Sequence, residues 1–186
     1  YSLYEEKGLR RFGFHGFSHS YACLRAAEFL QRRTNELEIV SCHLGNGASV
    51  CAVDHGRSVD TSMGLTPTEG LIMGTRSGDV DPGLLVYLAR IEGMSPERLE
   101  ELIQKEGGLR GLSGVSHDMR EIEAAAAAGE SRALVALKAF AYRVRKYIGA
   151  YVAAMGGLDA IVFTGGIGQG SSGIRGLALQ NLECMG

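Results

Sequence analysis

The spacing of apolar residues along the first third of the chain changes twice. Tyr21, Leu24, Ala27 and Leu30 recur at near-helical intervals over 18–33, with Ser18 placed to cap the helix start. From Glu38 the apolar residues fall into short β-prone runs instead, 39–42, 49–53 and 58–61, separated by Gly45-Asn46-Gly47 and His55-Gly56. That pattern predicts a three-stranded antiparallel meander with tight turns. Helical spacing returns after Pro82 with Leu84, Leu85, Leu88 and Ile91, and Ser95-Pro96-Glu97 starts a further helix that runs to Gly107-Gly108. Two more helices are predicted at 119–128 and 131–155, the second amphipathic through Leu134, Leu137, Ala141, Val144, Ile148 and Tyr151 and stopped by Gly156-Gly157. Residues 159–163 read as a short buried strand, followed by a glycine loop, Thr164-Gly165-Gly166-Ile167-Gly168, and a last helix from near Ser171. Strand, glycine loop and helix in that order present unpaired backbone N–H groups to an anion. A meander followed by helices and a returning strand makes a mixed α/β lobe.

Composition narrows the function classes. A length of 186 residues with 45% apolar content supports one core, on a prior of about 100 to 200 residues per domain. Nineteen basic against 21 acidic residues leave a charge of -2, and the longest basic clusters are no more than the Arg32-Arg33 pair and the Arg143, Arg145, Lys146 helix face. Such a balance argues against a nucleic-acid or membrane-surface binder. No apolar run reaches the roughly 18 residues needed to span a bilayer. Cys23, Cys42, Cys51 and Cys184 show no metal or redox spacing and no signal peptide precedes them, so a reduced, cytoplasmic protein is expected. A start at Tyr1 and an end at Met185-Gly186 with no closing element read as a piece of a longer protein.

Glycine is abundant, at 27 residues, in clusters without a period. Three clusters hold chemistry: Phe12-Gly-Phe-His15-Gly, His43-Leu44-Gly45-Asn46-Gly47, and Met73-Gly-Thr-Arg76-Ser-Gly-Asp79. Each sets a cationic or proton-donating side chain among residues whose backbone can approach a bulky polyanion, which points to phosphate. Each also has a plainer reading. Asn46-Gly47 is a common two-residue hairpin turn, although a third small residue, Gly45, is one more than such a turn needs. Arg76 could be a surface arginine paired with Asp79; between glycines it would instead fork onto phosphate oxygens. His15, His19 and His43 could imitate a zinc site, but no third ligand has fixed spacing. His15 could be a packed histidine, and His19 suits a structural, hydrogen-bonding role. Asp118 could simply cap the helix that Met119 opens, with Arg120 a surface charge, or the two could hold a ribose or base there.

Five stretches in order, RRFGFHGFSHSY at 10–21, HLGNGASV at 43–50, DTSMGLTPTEGLIMGTRSGDVDP at 60–82, GVSHDMREIE at 114–123 and FTGGIGQGSSGIR at 163–175, resemble the acetate kinases of the acetokinase family, which also includes propionate and butyrate kinases. The resemblance implies a ribonuclease H-like, actin-like ATPase lobe spanning 1–186, most of the C-terminal domain of a longer two-domain kinase. It implies reversible phosphoryl transfer from ATP to acetate, giving acetyl phosphate and ADP, with propionate kinase as the near alternative. It makes His15 and Arg76 the pair that stabilises the transferring phosphoryl group, and 43–47 the phosphate-contacting hairpin. Asp118, Met119 and Arg120 then fall at the nucleotide, and Gly166, Ile167, Gly168, Gln169 and Gly170 at its adenosine end. Mg²⁺ is implied as the companion of ATP, its ligands outside this chain, and a homodimer is implied as the assembly. The family pattern has Glu-Asn where this chain has Gln169-Gly170, Ser where it has His117, and commonly Thr where it has Phe17. On this reading the chain alone transfers phosphoryl slowly or not at all, because half of the cleft is elsewhere. A non-catalytic nucleotide-binding module is the reading of another class.

Overall fold

The computed structural model describes residues 1–185; Gly186 and the side chain of Cys184 lie outside the described residues. A short helix α1 (Ser2–Lys7) leads to α2 (Gly16–Phe29) and then to the meander β1 (Glu38–Leu44), β2 (Ala48–Asp54) and β3 (Arg57–Thr61). After a long connection come α3 (Pro82–Ile91), α4 (Pro96–Glu101), a π-helical stretch (Leu102–Glu106), α5 (Gly108–Ser113), α6 (Met119–Ala127) and α7 (Ser131–Met155). The chain returns as β4 (Ala160–Thr164) and finishes with α8 (Gly165–Gly170), α9 (Ser172–Leu179) and a turn of 3₁₀ helix.

The sheet order is β3-β2-β1-β4, with the meander antiparallel and β4 parallel to β1. β1 and β2 are central and sandwiched between helices, so the period-2 alternation sorts their side chains onto two faces. Val40, Cys42, Leu44, Val50 and Ala52 join the main core with Phe140, Val144 and Ile148 of α7 and Ile122 of α6. Ile39, Cys51 and Val53 point the other way, onto Cys23 and Ala27 of α2. Ser41, His43 and Ser49 share that second face by the same alternation. Its end nearest the β1–β2 loop is therefore polar, and α2 covers it.

Several expected boundaries shift. α2 starts at Gly16 and ends at Phe29, and Ser18 caps nothing: its hydroxyl is hydrogen-bonded to His43 Nδ1 at 2.8 Å, a tertiary contact that outcompetes the local one. Ser95 does cap α4, accepting from the Arg98 N–H. The helix from Pro96 does not stay α-helical to Gly107, because the carbonyls of Ile103 and Gln104 turn outward to accept from Ser77 N–H and Thr75 Oγ1. Such a widened turn is a common device beside functional loops. In α7 the core face is Ala133, Ala136, Leu137, Phe140, Ala141, Val144, Ile148 and Tyr151, whereas Leu134 is exposed. The glycine run after β4 is helix, not loop. Gly165 carries the change of direction at φ +80°, and a Cβ there would lie 2.5 Å from the Leu44 carbonyl oxygen.

Cys23, Cys42 and Cys51 are free and buried, and burial pushes their thiol pKa values up, Cys23 to about 11. Among the described residues no helix is long and apolar enough to cross a membrane.

Candidate functional site

The β1–β2 loop is three residues, since Leu44 pairs with Ala48. None of Gly45, Asn46 and Gly47 has positive φ, so the glycines do not serve the mirror-image turn that Asn-Gly usually signals. They serve proximity. A Cβ on Gly47 would lie 3.2 Å from Arg76 Nη1 and 3.6 Å from His15 Nε2. A guanidinium and an imidazole from segments 61 residues apart in sequence thus face one bare stretch of backbone.

Arg76 reaches that point on a loop tied down at both ends. Met73 N–H donates to the Arg76 carbonyl, Leu109 N–H to the Met73 carbonyl and Gly74 N–H to the Asn46 carbonyl, and the loop's far side bonds to the π-helical stretch. The Arg76 guanidinium donates only to the Pro67 carbonyl, at 3.2 Å, and weakly to the Met73 sulfur. The surface pairing with Asp79 is not formed. Asp79 accepts from Arg143, the Tyr147 hydroxyl and Gly70 N–H, which leaves Arg76 without a carboxylate partner among the described residues.

His15 sits at the start of α2 at φ +62°, an uncommon conformation for a non-glycine residue that costs of order 1 kcal/mol and tends to mark functional positions. Its ring stacks on His43 at 4.0 Å with an interplanar angle of 22°. Its Nδ1 is hydrogen-bonded to Ser49 Oγ at 3.0 Å. Burial first, then His43 and Arg76, lower its pKa to about 4, so it is neutral at pH 7. Burial lowers His43 as well, and brings the almost fully buried His19 to about 4. A three-histidine metal site is disfavoured because His19 spends both ring nitrogens on serine hydroxyls.

Next to this point lies a cleft of about 450 Å³ lined by Gly45, Asn46, His117, Asp118, Met119, Arg120, Glu123, Gly166, Ile167, Gly170 and Ser171. Three segments remote in sequence meet there. The structure does not place every sequence-derived candidate in it. Leu44 is fully buried on the core face, Gly168 packs against Phe163 and Leu44, and neither Gly168 nor Gln169 lines the cleft. Asp118 caps α6, accepting from Arg120 N–H, and also holds the Arg120 guanidinium; that guanidinium is the main cause of its carboxyl falling to about 2. The capping role and the wall of the cleft are thus the same residues. Glu123 and Ser171 were not legible as site residues. Ser171 caps α9 and donates to Glu123, a link across 48 positions that no local pattern announces.

The described residues hold one cluster able to ligate a metal, Glu38, Asp54 and His55. It lies at the opposite end of the seven-residue strands β1 and β2 from the 45–47 loop, about 20 Å away at roughly 3.3 Å per residue. Among the described residues no carboxylate set for Mg²⁺ accompanies His15 and Arg76.

Comparisons with known proteins bear on the family and the fold of the chain. The sequence model of the Acetokinase family matches residues 1–186. The acetate kinase of Thermoanaerobacter pseudethanolicus is 54% identical over the whole chain, which covers 47% of that protein. The propionate kinase of Citrobacter rodentium is 55% identical over 98% of the chain and 45% of its own length. The crystal structure of Porphyromonas gingivalis acetate kinase superposes with a TM-score of 0.98 at 48% identity, covering 100% of this chain and 47% of that one. The chain spans about half the length of the curated relatives it matches.

Proposed function

Because the chain belongs to the acetokinase family and has its actin-like ATPase fold, we propose that it forms one nucleotide-binding lobe, 1–186, of a cytoplasmic carboxylate kinase that transfers the ATP γ-phosphoryl group reversibly to acetate. The observation that carries this reading is the convergence of His15 Nε2 and Arg76 Nη1 on Gly47, beside a cleft of nucleoside size. In phosphoryl transfer, charge spreads over the three equatorial oxygens and catalysis is largely positioning and charge stabilisation. Arg76, free of a carboxylate, supplies a guanidinium to those oxygens; neutral His15 supplies a hydrogen bond; Gly47 lets the backbone close from below. The cleft holds the nucleoside between α6 and the α8–α9 turn. Mg²⁺ accompanying ATP would supply charge neutralisation at its phosphates, with its ligands outside this chain, and a homodimer is the proposed assembly.

Propionate is the second substrate to try, because a relative of each name matches about equally and one methylene discriminates by only about 1–3 kcal/mol. The test is hydroxylamine trapping of the acyl phosphate, with the full-length protein, ATP, Mg²⁺ and either acetate or propionate. His15→Ala and Arg76→Ala are each expected to lower kcat about 10²–10³-fold while nucleotide affinity holds. No acyl phosphate from the unsubstituted protein, with ATP still bound, would favour the non-catalytic nucleotide-binding module.

A further inference from the structure

Behind His15, away from the cleft, runs a chain of side-chain hydrogen bonds that the phosphate-facing roles leave unused. Ser49 Oγ lies 3.0 Å from His15 Nδ1 and 2.8 Å from His19 Nε2, and Ser41 Oγ lies 2.9 Å from His19 Nδ1. Ser41 and Ser49 are fully buried and His19 is 4% exposed. We propose that Ser49, backed by His19 and Ser41, is a positioning residue that fixes which nitrogen of His15 carries the proton and so turns an Nε2–H donor toward the transferring phosphoryl group. The proposal rests on the kinase reading above.

The argument is one of proton counting. A serine hydroxyl has one proton, and a neutral imidazole has one donor and one acceptor nitrogen. Two consistent directions exist. In one, Ser41 donates to His19 Nδ1, His19 Nε2–H donates to Ser49, and Ser49 donates to His15 Nδ1, leaving His15 Nε2–H free. In the other every bond is reversed, and His15 shows the site a bare lone pair. Both rings donating into Ser49 at once would strand its hydroxyl proton, for which the described residues offer no further acceptor. A phosphoryl oxygen only accepts, so the first direction alone makes His15 useful beside Arg76.

Protonation of either ring would give it two donors and break the chain; burial and the neighbouring His43 and Arg76 hold His15 neutral at pH 7, and burial with His43 and His15 does the same for His19. The stacked His43, itself tethered to Ser18, fixes the plane of the His15 ring from its face. Ser49 and His19 touch no substrate on this geometry; they act through His15.

The deciding measurement is two-bond ¹H–¹⁵N correlation on the full-length protein labelled with ¹⁵N-histidine. Protonated Nε2 and bare Nδ1 are expected at both His15 and His19; a His15 protonated at Nδ1 overturns the proposal. That readout uses the unsubstituted protein, so it stands even if Ser49→Ala fails to fold. Where Ser49→Ala folds, kcat is expected to fall on the order of tenfold, a part of the 10²–10³ that a lost preorganised donor costs, with KM for ATP unchanged and mixed His15 tautomers. Ser49→Thr, which keeps the hydroxyl, restores both. An unchanged kcat and tautomer in Ser49→Ala overturn the relay while leaving the kinase reading intact. If His15→Ala instead retains full activity, the kinase role of His15 fails, whatever its tautomer.

Discussion

Gly47→Ala separates the site from the fold. Gly47 does not have a positive φ, so alanine enters without backbone strain. Its methyl would sit 3.2 Å from Arg76 Nη1 and 3.6 Å from His15 Nε2, the first a few tenths of an ångström inside ordinary contact. The Arg76 terminus is flexible enough to yield, at about 0.5–1.5 kcal/mol of rotamer strain, offset by about 0.4–1 kcal/mol from a stiffer unfolded chain. Stability should therefore change by less than about 1 kcal/mol. Activity should not survive so well. An oxygen bonded to both donors must approach within about 3 Å of each, and the methyl occupies that approach. Displacement on the order of 1 Å costs about 10²-fold, or roughly 2.7 kcal/mol of transition-state stabilisation. Urea unfolding and hydroxamate formation, run on the full-length protein, read the two quantities separately. Near-normal kcat/KM in a folded Gly47→Ala protein would refute the convergence of His15 and Arg76 on this backbone; a collapse in stability would show that Gly47 is structural instead.

Two further outcomes are expected. Gly165→Ala combines a φ of +80° with a Cβ 2.5 Å from the Leu44 carbonyl; left-handed strain of about 1–2 kcal/mol and backbone crowding of about 1–3 kcal/mol should lower the urea-derived stability by about 2–5 kcal/mol, and an unchanged midpoint would contradict the β4-to-α8 geometry. His19, buried and neutral with its pKa lowered to about 4 from 6.5, binds its proton less readily folded than unfolded. Its contribution is complete above pH 6.5 and is lost as pH falls through 4, on the order of 3 kcal/mol in all. Comparing unsubstituted protein with His19→Asn between pH 7 and 4 should show a shallower acid slope in the variant, and equal slopes would count against a buried neutral His19.

Local patterns found most of the elements because local physics sets them. The meander follows from period-2 runs broken by glycine, and α3 and α4 follow from Pro82 and from the Ser95 cap. α5 went unseen because Gly108-Leu-Arg-Gly-Leu-Ser carries two glycines and no cap signal; it packs on α7. α1 lacks a side-chain cap and buries nothing, so no periodicity marked it. The glycines after β4 suggested a loop, yet they are helical, since the Cβ-free turn at Gly165 lets the chain fold straight back over Leu44.

Residue types and their order along the chain marked His15, Arg76 and the 43–47 loop as candidates for phosphate chemistry, because glycine lets a backbone approach a bulky polyanion; the structure brings His15 and Arg76 together at Gly47. Sequence could not say that Asp79 belongs to Arg143 and Tyr147, that Ser18 serves His43, or that Glu123 meets Ser171. Each of those pairings spans 25 or more positions, and only the packing of α2, α6 and α7 around one sheet brings the partners within hydrogen-bond reach.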